Sequence, residues 1–176
     1  MREGVGLYDM SSFGKFEVTG PAAAKNLQYI CSGNTDIPVG KVVYTHFLNA
    51  RGGIEADVTV VRTAQNTYWV IKGISSHSRD WWHLNHRLTD DTLLQDVSMH
   101  FGAMAIQGPL ARDVLSKVTT TDLSNEAFPF TTGKMMEVAG IKMWVQRLSY
   151  VGELGWELFV PAQHTGTVYH ALLTAG

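Results

Sequence analysis

The chain has 176 residues, 45% of them hydrophobic, enough to bury one good core or two fused subdomains. Its 14 basic and 16 acidic residues leave a net charge of −2 with no long run of one sign, which argues against a nucleic-acid footprint or a polybasic membrane patch and leaves small molecules or other proteins as partners. The single cysteine, Cys31, excludes an internal disulfide, and no apolar run approaches the roughly 20 residues of a membrane span.

The opening MREGVGLYD has neither the apolar centre of a signal peptide nor an Arg- and Ser-rich presequence. Its charged start and the open TAG finish are those expected of a piece of a longer chain. Residues 15–30, KFEVTGPAAAKNLQYI, read as a short strand, a Gly20-Pro21 corner and an amphipathic helix, with Cys31 as a buried thiol just beyond. Three strand-like runs follow, KVVYTHFL, GIEADVTVV and TYWVI. The next run, SSHSRDWWHLNHRL, has helical spacing, with Trp81, Leu84 and Leu88 on one stripe and Trp82 as an exposed neighbour. His77, His83 and His86 read as a solvated face of that helix; no carboxylate or thiol stands at ligand spacing, so no metal site is expected.

AMAIQGPLARDVLSKV (103–118) repeats the strand, Gly-Pro corner and helix, with Pro109 lying 88 residues after Pro21. Leu110, Val114, Leu115 and Val118 fall on one helical face. A longer loop, TTTDLSNEAFPFTTG, leads to KMMEVA, IKMWVQRLSY and GWELFVP, in which Met135, Met136 and Met143 read as core fillers at strand spacing; AQHTGTVYHALLTA closes the chain as a helix. The expectation is an α+β fold of two β-α-β-β-β-α halves with antiparallel sheets, residues 1–98 and 99–176.

Within this repeat, GGIEADVTV and GELGWELFV align, setting Asp57 against Glu157 at an offset of 100, with the longer second-half loop absorbing the difference. Acidic residues on strand faces are commonly solvated. Each of these two follows a glycine-containing turn, however, and glycine beside a strand often marks close approach of a ligand. Two carboxylates on equivalent strands of a pseudo-two-fold pair of halves would converge on one cavity.

The blocks YDMSSFGKFEVTGP, FLNARGGIEADVTV, IQGP, DLSNEAFPF and LSYVGELGWELFVP cover nearly all of the chain. In this order they resemble the folate-binding domain of the aminomethyltransferase family, which includes the T-protein of the glycine cleavage system. The wording DLSNEAFPF and VGELGWEL is similar to the branch in which this domain forms the C-terminal part of dimethylglycine and sarcosine dehydrogenases. The resemblance implies that Asp57 is the catalytic carboxylate, that Glu157 anchors the pterin with Tyr150 opening its motif, and that Tyr44 and Trp69 contact the aromatic parts of the folate. It also implies that a methylene passes from an amine to tetrahydrofolate to give 5,10-methylenetetrahydrofolate, after a flavin domain upstream has oxidised an N-methylated amine.

Two departures qualify the match. Gly73 stands where the free-standing transferase carries asparagine, and an arginine-bearing segment of the family lies beyond the last residue. No G-x-G-x-x-G follows a predicted strand, so FAD belongs to a separate domain. A non-catalytic regulatory or binding module of the same fold, or a glycine-cleavage aminomethyltransferase, are the alternatives. A bacterial cytoplasm and a mitochondrial matrix both suit the chain.

Overall fold

The computed structural model describes residues 2–89 and 91–176. In chain order the elements are β1 (Gly6–Asp9), β2 (Gly14–Thr19), α1 (Ala23–Ile30), β3 (Val42–Leu48), β4 (Ile54–Ala64), β5 (Thr67–Lys72), α2 (His77–Asn85) and β6 (Leu93–Asp96). There follow β7 (Phe101–Gln107), α3 (Ala111–Leu115), β8 (Gly133–Val138), β9 (Ile141–Gln146), β10 (Gly155–Pro161) and α4 (Thr165–Ala175). Among the described residues no helix is long and apolar enough to cross a membrane.

The chain forms two compact units, Phe13–Ser98 and Met1–Ser12 with Met99–Gly176. The first holds a sheet in the order β3-β4-β5-β2-β6, and the second, read from the matching edge, the order β8-β9-β10-β7-β1. The pairings are antiparallel. Compact units and sequence repeat are thus different divisions: at the 88-residue offset of the two prolines β6 is the counterpart of β1 and leads the second copy, and each of these strands pairs within the sheet of the other copy.

The Gly-Pro corners show why the repeat needs glycine. Gly20 has φ +144 and Gly108 φ +122, and a Cβ at either would meet a carbonyl oxygen at 2.2 Å (Asp91) or 2.3 Å (Gly4). No side chain fits between the corner and the segment entering the exchanged strand.

In each unit the helices cover one face of the sheet. In the first, Phe16, Val18, Val58, Val60, Tyr68 and Val70 meet Leu27 and Ile30 of α1 and Leu84 of α2. In the second, Ile106, Val145, Trp156 and Leu158 meet Val114 and Leu115 of α3 and Val168 and Leu172 of α4. Cys31 closes α1 as a buried thiol, and burial pushes it up to about 12. A buried ion pair fastens α2 to β5: Lys72 Nζ lies 2.5 Å from Asp80 Oδ2, which also accepts from the Ser76 hydroxyl at 2.6 Å.

Several expectations are corrected. Leu110 is exposed, because α3 begins only at Ala111 and Leu110 occupies its N-cap. Met135 is exposed while Met136 and Met143 are buried, as strand alternation across β8 requires. His83 is not on a solvated face; it is buried, with its ring stacked on Phe47 at 5.5 Å, and desolvation holds its protonation below the ordinary histidine range.

The largest correction concerns the repeat. Gly20 N–H donates to Asn66 O and Gly108 N–H to Leu154 O, each at 2.9 Å, and both pairs are related by the same 88 residues as the prolines. Trp69 lies opposite Glu17, and Glu157 opposite Ala105, again at that spacing. The counterpart of β10 is therefore β5, and the counterpart of Glu157 is Trp69. Asp57 sits one strand further out, on β4, whose counterpart is β9. The Gly-rich turns made two non-equivalent strands look alike; hydrogen-bonded register, not motif wording, fixes equivalence.

Candidate functional site

The unit holding β7 to β10 buries a carboxylate on the sheet face away from its helices. Trp156 and Leu158 of β10 point into the core, so Glu157 between them points the other way. A single row crosses the sheet there: Tyr8 of β1, Ala105 of β7, Glu157 of β10, Gln146 of β9 and Gly133 of β8. Glu157 is 5% exposed and Gln146 0%. The Gln146 amide Nε2 donates to Glu157 Oε2 at 2.8 Å, whereas Gln146 Oε1 is buried with no hydrogen-bond partner among the described residues. Burial pushes the Glu157 carboxyl above the usual range, partly offset by the Gln146 amide. An orphan buried acceptor costs about 1–3 kcal/mol. The pair thus sets a buried carboxylate and a buried, unpaired amide oxygen on adjacent strands.

The surroundings of the pair are small or flat. Ala105 flanks Glu157 on one side, and a Cβ at Gly133 would meet the Trp144 ring at 2.7 Å, so the indole lies directly over Gly133 beside Gln146. Gln107, 1% exposed, accepts at its Oε1 from Val151 N–H at 3.3 Å and ties the loop over residues 147–154 to β7. Tyr150 is on that loop and is 91% exposed. A recess of about 490 Å³ lies beneath the same loop, lined by Arg2, Pro109 and residues 151–154; Glu157 is not among its lining residues.

In the unit holding β2 to β6, Asp57 stands on the corresponding outer face, exposed, between the buried Ala56 and Val58. Opposite it on β3 is His46, and one step along the same face is Tyr44, 60% exposed. The Tyr44 hydroxyl donates to Asp57 Oδ2 at 3.4 Å, a long contact, and its ring meets His46 edge-on at 5.3 Å. Tyr44, His46 and Asp57 thus form one group. Trp69 is not part of it: it lies opposite Val61, four residues along β4 from Asp57, is 7% exposed, and donates its indole N–H to Glu17 Oε2 at 2.9 Å.

Four neighbours of the expected residues went unnoticed in the sequence: Gln146, Gln107, His46 and Glu17. For His46 a signal exists, since a titratable residue two positions after Tyr44 must share its strand face. The other three become neighbours only through strand pairing.

The fold is thus a duplicated α+β arrangement with a carboxylate on an outer sheet face of each unit. The chain belongs to the family of the GCVT N-terminal domain, whose model matches residues 1–176. It is 40% identical over 191 residues to mitochondrial sarcosine dehydrogenase of Mus musculus, covering 99% of this chain and 21% of that protein. It is 35% identical over 182 residues to the mitochondrial pyruvate dehydrogenase phosphatase regulatory subunit of Mus musculus, covering 99% of this chain and 20% of that one. Among solved structures it matches the glycine cleavage system aminomethyltransferase T from Bartonella henselae with a TM-score of 0.85 and 25% identity, over 98% of this chain and 46% of that one. The chain therefore spans about a fifth of these mammalian relatives.

Proposed function

We propose that this chain is a tetrahydrofolate-binding aminomethyl-transfer domain, working with an FAD-containing domain upstream in a dehydrogenase of N-methylated amines such as dimethylglycine or sarcosine. The observation that carries the reading is Glu157, a carboxylate buried on a sheet face in a chain of this family. A reduced pterin presents a ring N–H beside an exocyclic amino group, two parallel donors that one carboxylate accepts together. The buried acceptors Glu157 and Gln146 fit that edge.

When bound, tetrahydrofolate supplies the nitrogens that take up the one-carbon unit. Glu157 holds and orients the pterin. Asp57 opposes the positive charge that develops as a methylene leaves an oxidised N-methyl amine, and it accepts the proton released on formation of 5,10-methylenetetrahydrofolate. Tyr44 steadies Asp57 through its hydroxyl and offers a flat exposed ring. Tyr150, exposed on the 147–154 loop, offers a second aromatic surface. Trp69 supports the sheet beside Glu17, so its part in binding is indirect.

The test is a titration of the full-length protein with tetrahydrofolate. Glu157→Gln should weaken binding 10-fold or more, the range of a charge-assisted bond, while Asp57→Asn should leave affinity within about twofold. Equal affinity in wild type and Glu157→Gln would remove the anchor. A regulatory, non-catalytic role is the second reading, favoured by the likeness to a phosphatase regulatory subunit. It expects tetrahydrofolate binding without any transfer that depends on Asp57.

A further inference from the structure

The fold does not require a polar residue at Gln146. The corresponding position in the other sheet is Val61: Val61 lies opposite Trp69, as Gln146 lies opposite Glu157, and Val61 is fully buried without a polar atom in its side chain. Gln146 replaces that apolar packing with a carboxamide that has one half used and one half idle. Its Nε2–H donates to Glu157 Oε2 at 2.8 Å, and its Oε1 is buried without a partner among the described residues. A buried polar side chain that the sister position does without, and that leaves an acceptor open, is a candidate recognition group for a donor.

We propose that Gln146 is a specificity-determining residue of the Glu157 site, its carboxamide fixing one Glu157 oxygen and its Oε1 accepting the second N–H of the ligand's exocyclic amino group. The inference rests on the reading of Glu157 as the pterin anchor. An exocyclic amino group on a pyrimidine ring has two hydrogens in the ring plane. The carboxylate takes one of them together with the adjacent ring N–H, which leaves the other hydrogen pointing away from the carboxylate. An acceptor at the flank of the carboxylate satisfies it; of the two strands that flank β10 at Glu157, β9 offers the Gln146 amide and β7 only Ala105. The pair would then select 2-amino-4-oxo heterocycles over analogues without the amino group, because a ligand without it leaves two buried acceptors unpaired.

The experiment uses the full-length protein and two ligands, tetrahydrofolate and its 2-desamino-2-methyl analogue, with binding followed by calorimetry. Gln146→Met keeps the length of the side chain, and Gln146→Val copies the residue of the other sheet; thermal unfolding identifies a variant that fails to fold, and the other then decides. Both variants should bind tetrahydrofolate about tenfold more weakly than wild type while binding the desamino analogue within twofold of wild type. Loss of equal size for both ligands would make Gln146 a merely structural support and overturn the proposal, as would unchanged affinity for tetrahydrofolate. A parallel Glu157→Gln arm separates the two levels. If it weakens tetrahydrofolate binding and the Gln146 variants do not, only this inference fails; if it has no effect, the anchor reading fails first.

Discussion

Equivalent places in the two sheets have been put to different uses. In the first sheet the row runs Val42, Val61, Trp69 and Glu17, and its polar groups satisfy each other, with the Trp69 indole donating to Glu17. In the second the same row runs Gly133, Gln146, Glu157 and Ala105; the carboxylate has moved one strand inward, and an acceptor remains open. The row is bulky and closed in one copy, and small with an unpaired acceptor in the other; on the proposed reading the first is scaffold and the second a binding surface. The first sheet carries its proposed catalytic group elsewhere, at Asp57 near the start of β4.

That contrast can be broken or sharpened by substitution. The largest effect is expected at Asp57: Asp57→Asn in the complete enzyme should lower methylene transfer about 10²- to 10⁴-fold with folate affinity retained, measured as 5,10-methylenetetrahydrofolate formed per turnover of amine. Next comes the scaffold of the same unit. Asp80→Asn should destabilise it by about 3–5 kcal/mol, because Lys72 would be left as a buried, uncompensated charge, and urea denaturation reads this directly. Although desolvation alone would raise the Asp80 carboxyl, hydrogen bonds and charge from Lys72, with help from Ser76 and Arg79, hold it below the usual range. Its stabilisation is therefore present above the ordinary aspartate range and disappears as pH falls through the depressed folded value.

Glu157→Gln should act in the opposite sense on stability, raising it by about 0.5–2 kcal/mol at neutral pH while weakening folate binding. The two amides can then satisfy one another across β9 and β10. Since the Glu157 carboxyl titrates above its unfolded value, this advantage over wild type should grow as pH rises through that elevated value and shrink toward the ordinary glutamate range, where the folded wild-type protein holds its proton. Thermal unfolding across pH tests the sign. A gap that does not depend on pH would mean that Glu157 is not the strained group it is described as. The smallest change belongs to Tyr44→Phe: its 3.4 Å contact with Asp57 is long, so unfolding free energy should move by no more than about 0.5 kcal/mol, with transfer falling only two- to threefold.

Much of the architecture was legible because it rests on local rules. The Gly-Pro corners, the alternating strands and the helical stripe of α1 each need only a few adjacent residues, and each marks an element of the structure. Where an expectation went astray, the start of a helix or a longer-range contact decided. Leu110 has helical spacing with Val114, but the helix starts one residue too late to bury it. His83 looks solvated in a polar helix, yet Phe47 of β3 stacks against it. Glu157 was found by its odd place in an apolar strand, whereas its partner Gln146, eleven residues earlier, carried no mark of its own.

From its residues alone the chain determines a doubled β-α-β-β-β-α plan, two corners that only glycine can turn, and a carboxylate set among apolar neighbours on β10. Those features follow from backbone sterics and from the two-residue period of a strand, which act over short distances. Which strands pair, that β1 and β6 change sheets, and that Trp69 rather than Asp57 is the counterpart of Glu157 were decided by the tertiary structure. Register is set by burial and hydrogen bonding between segments far apart in the chain, so a slip invisible in the local pattern would change every neighbour of the site.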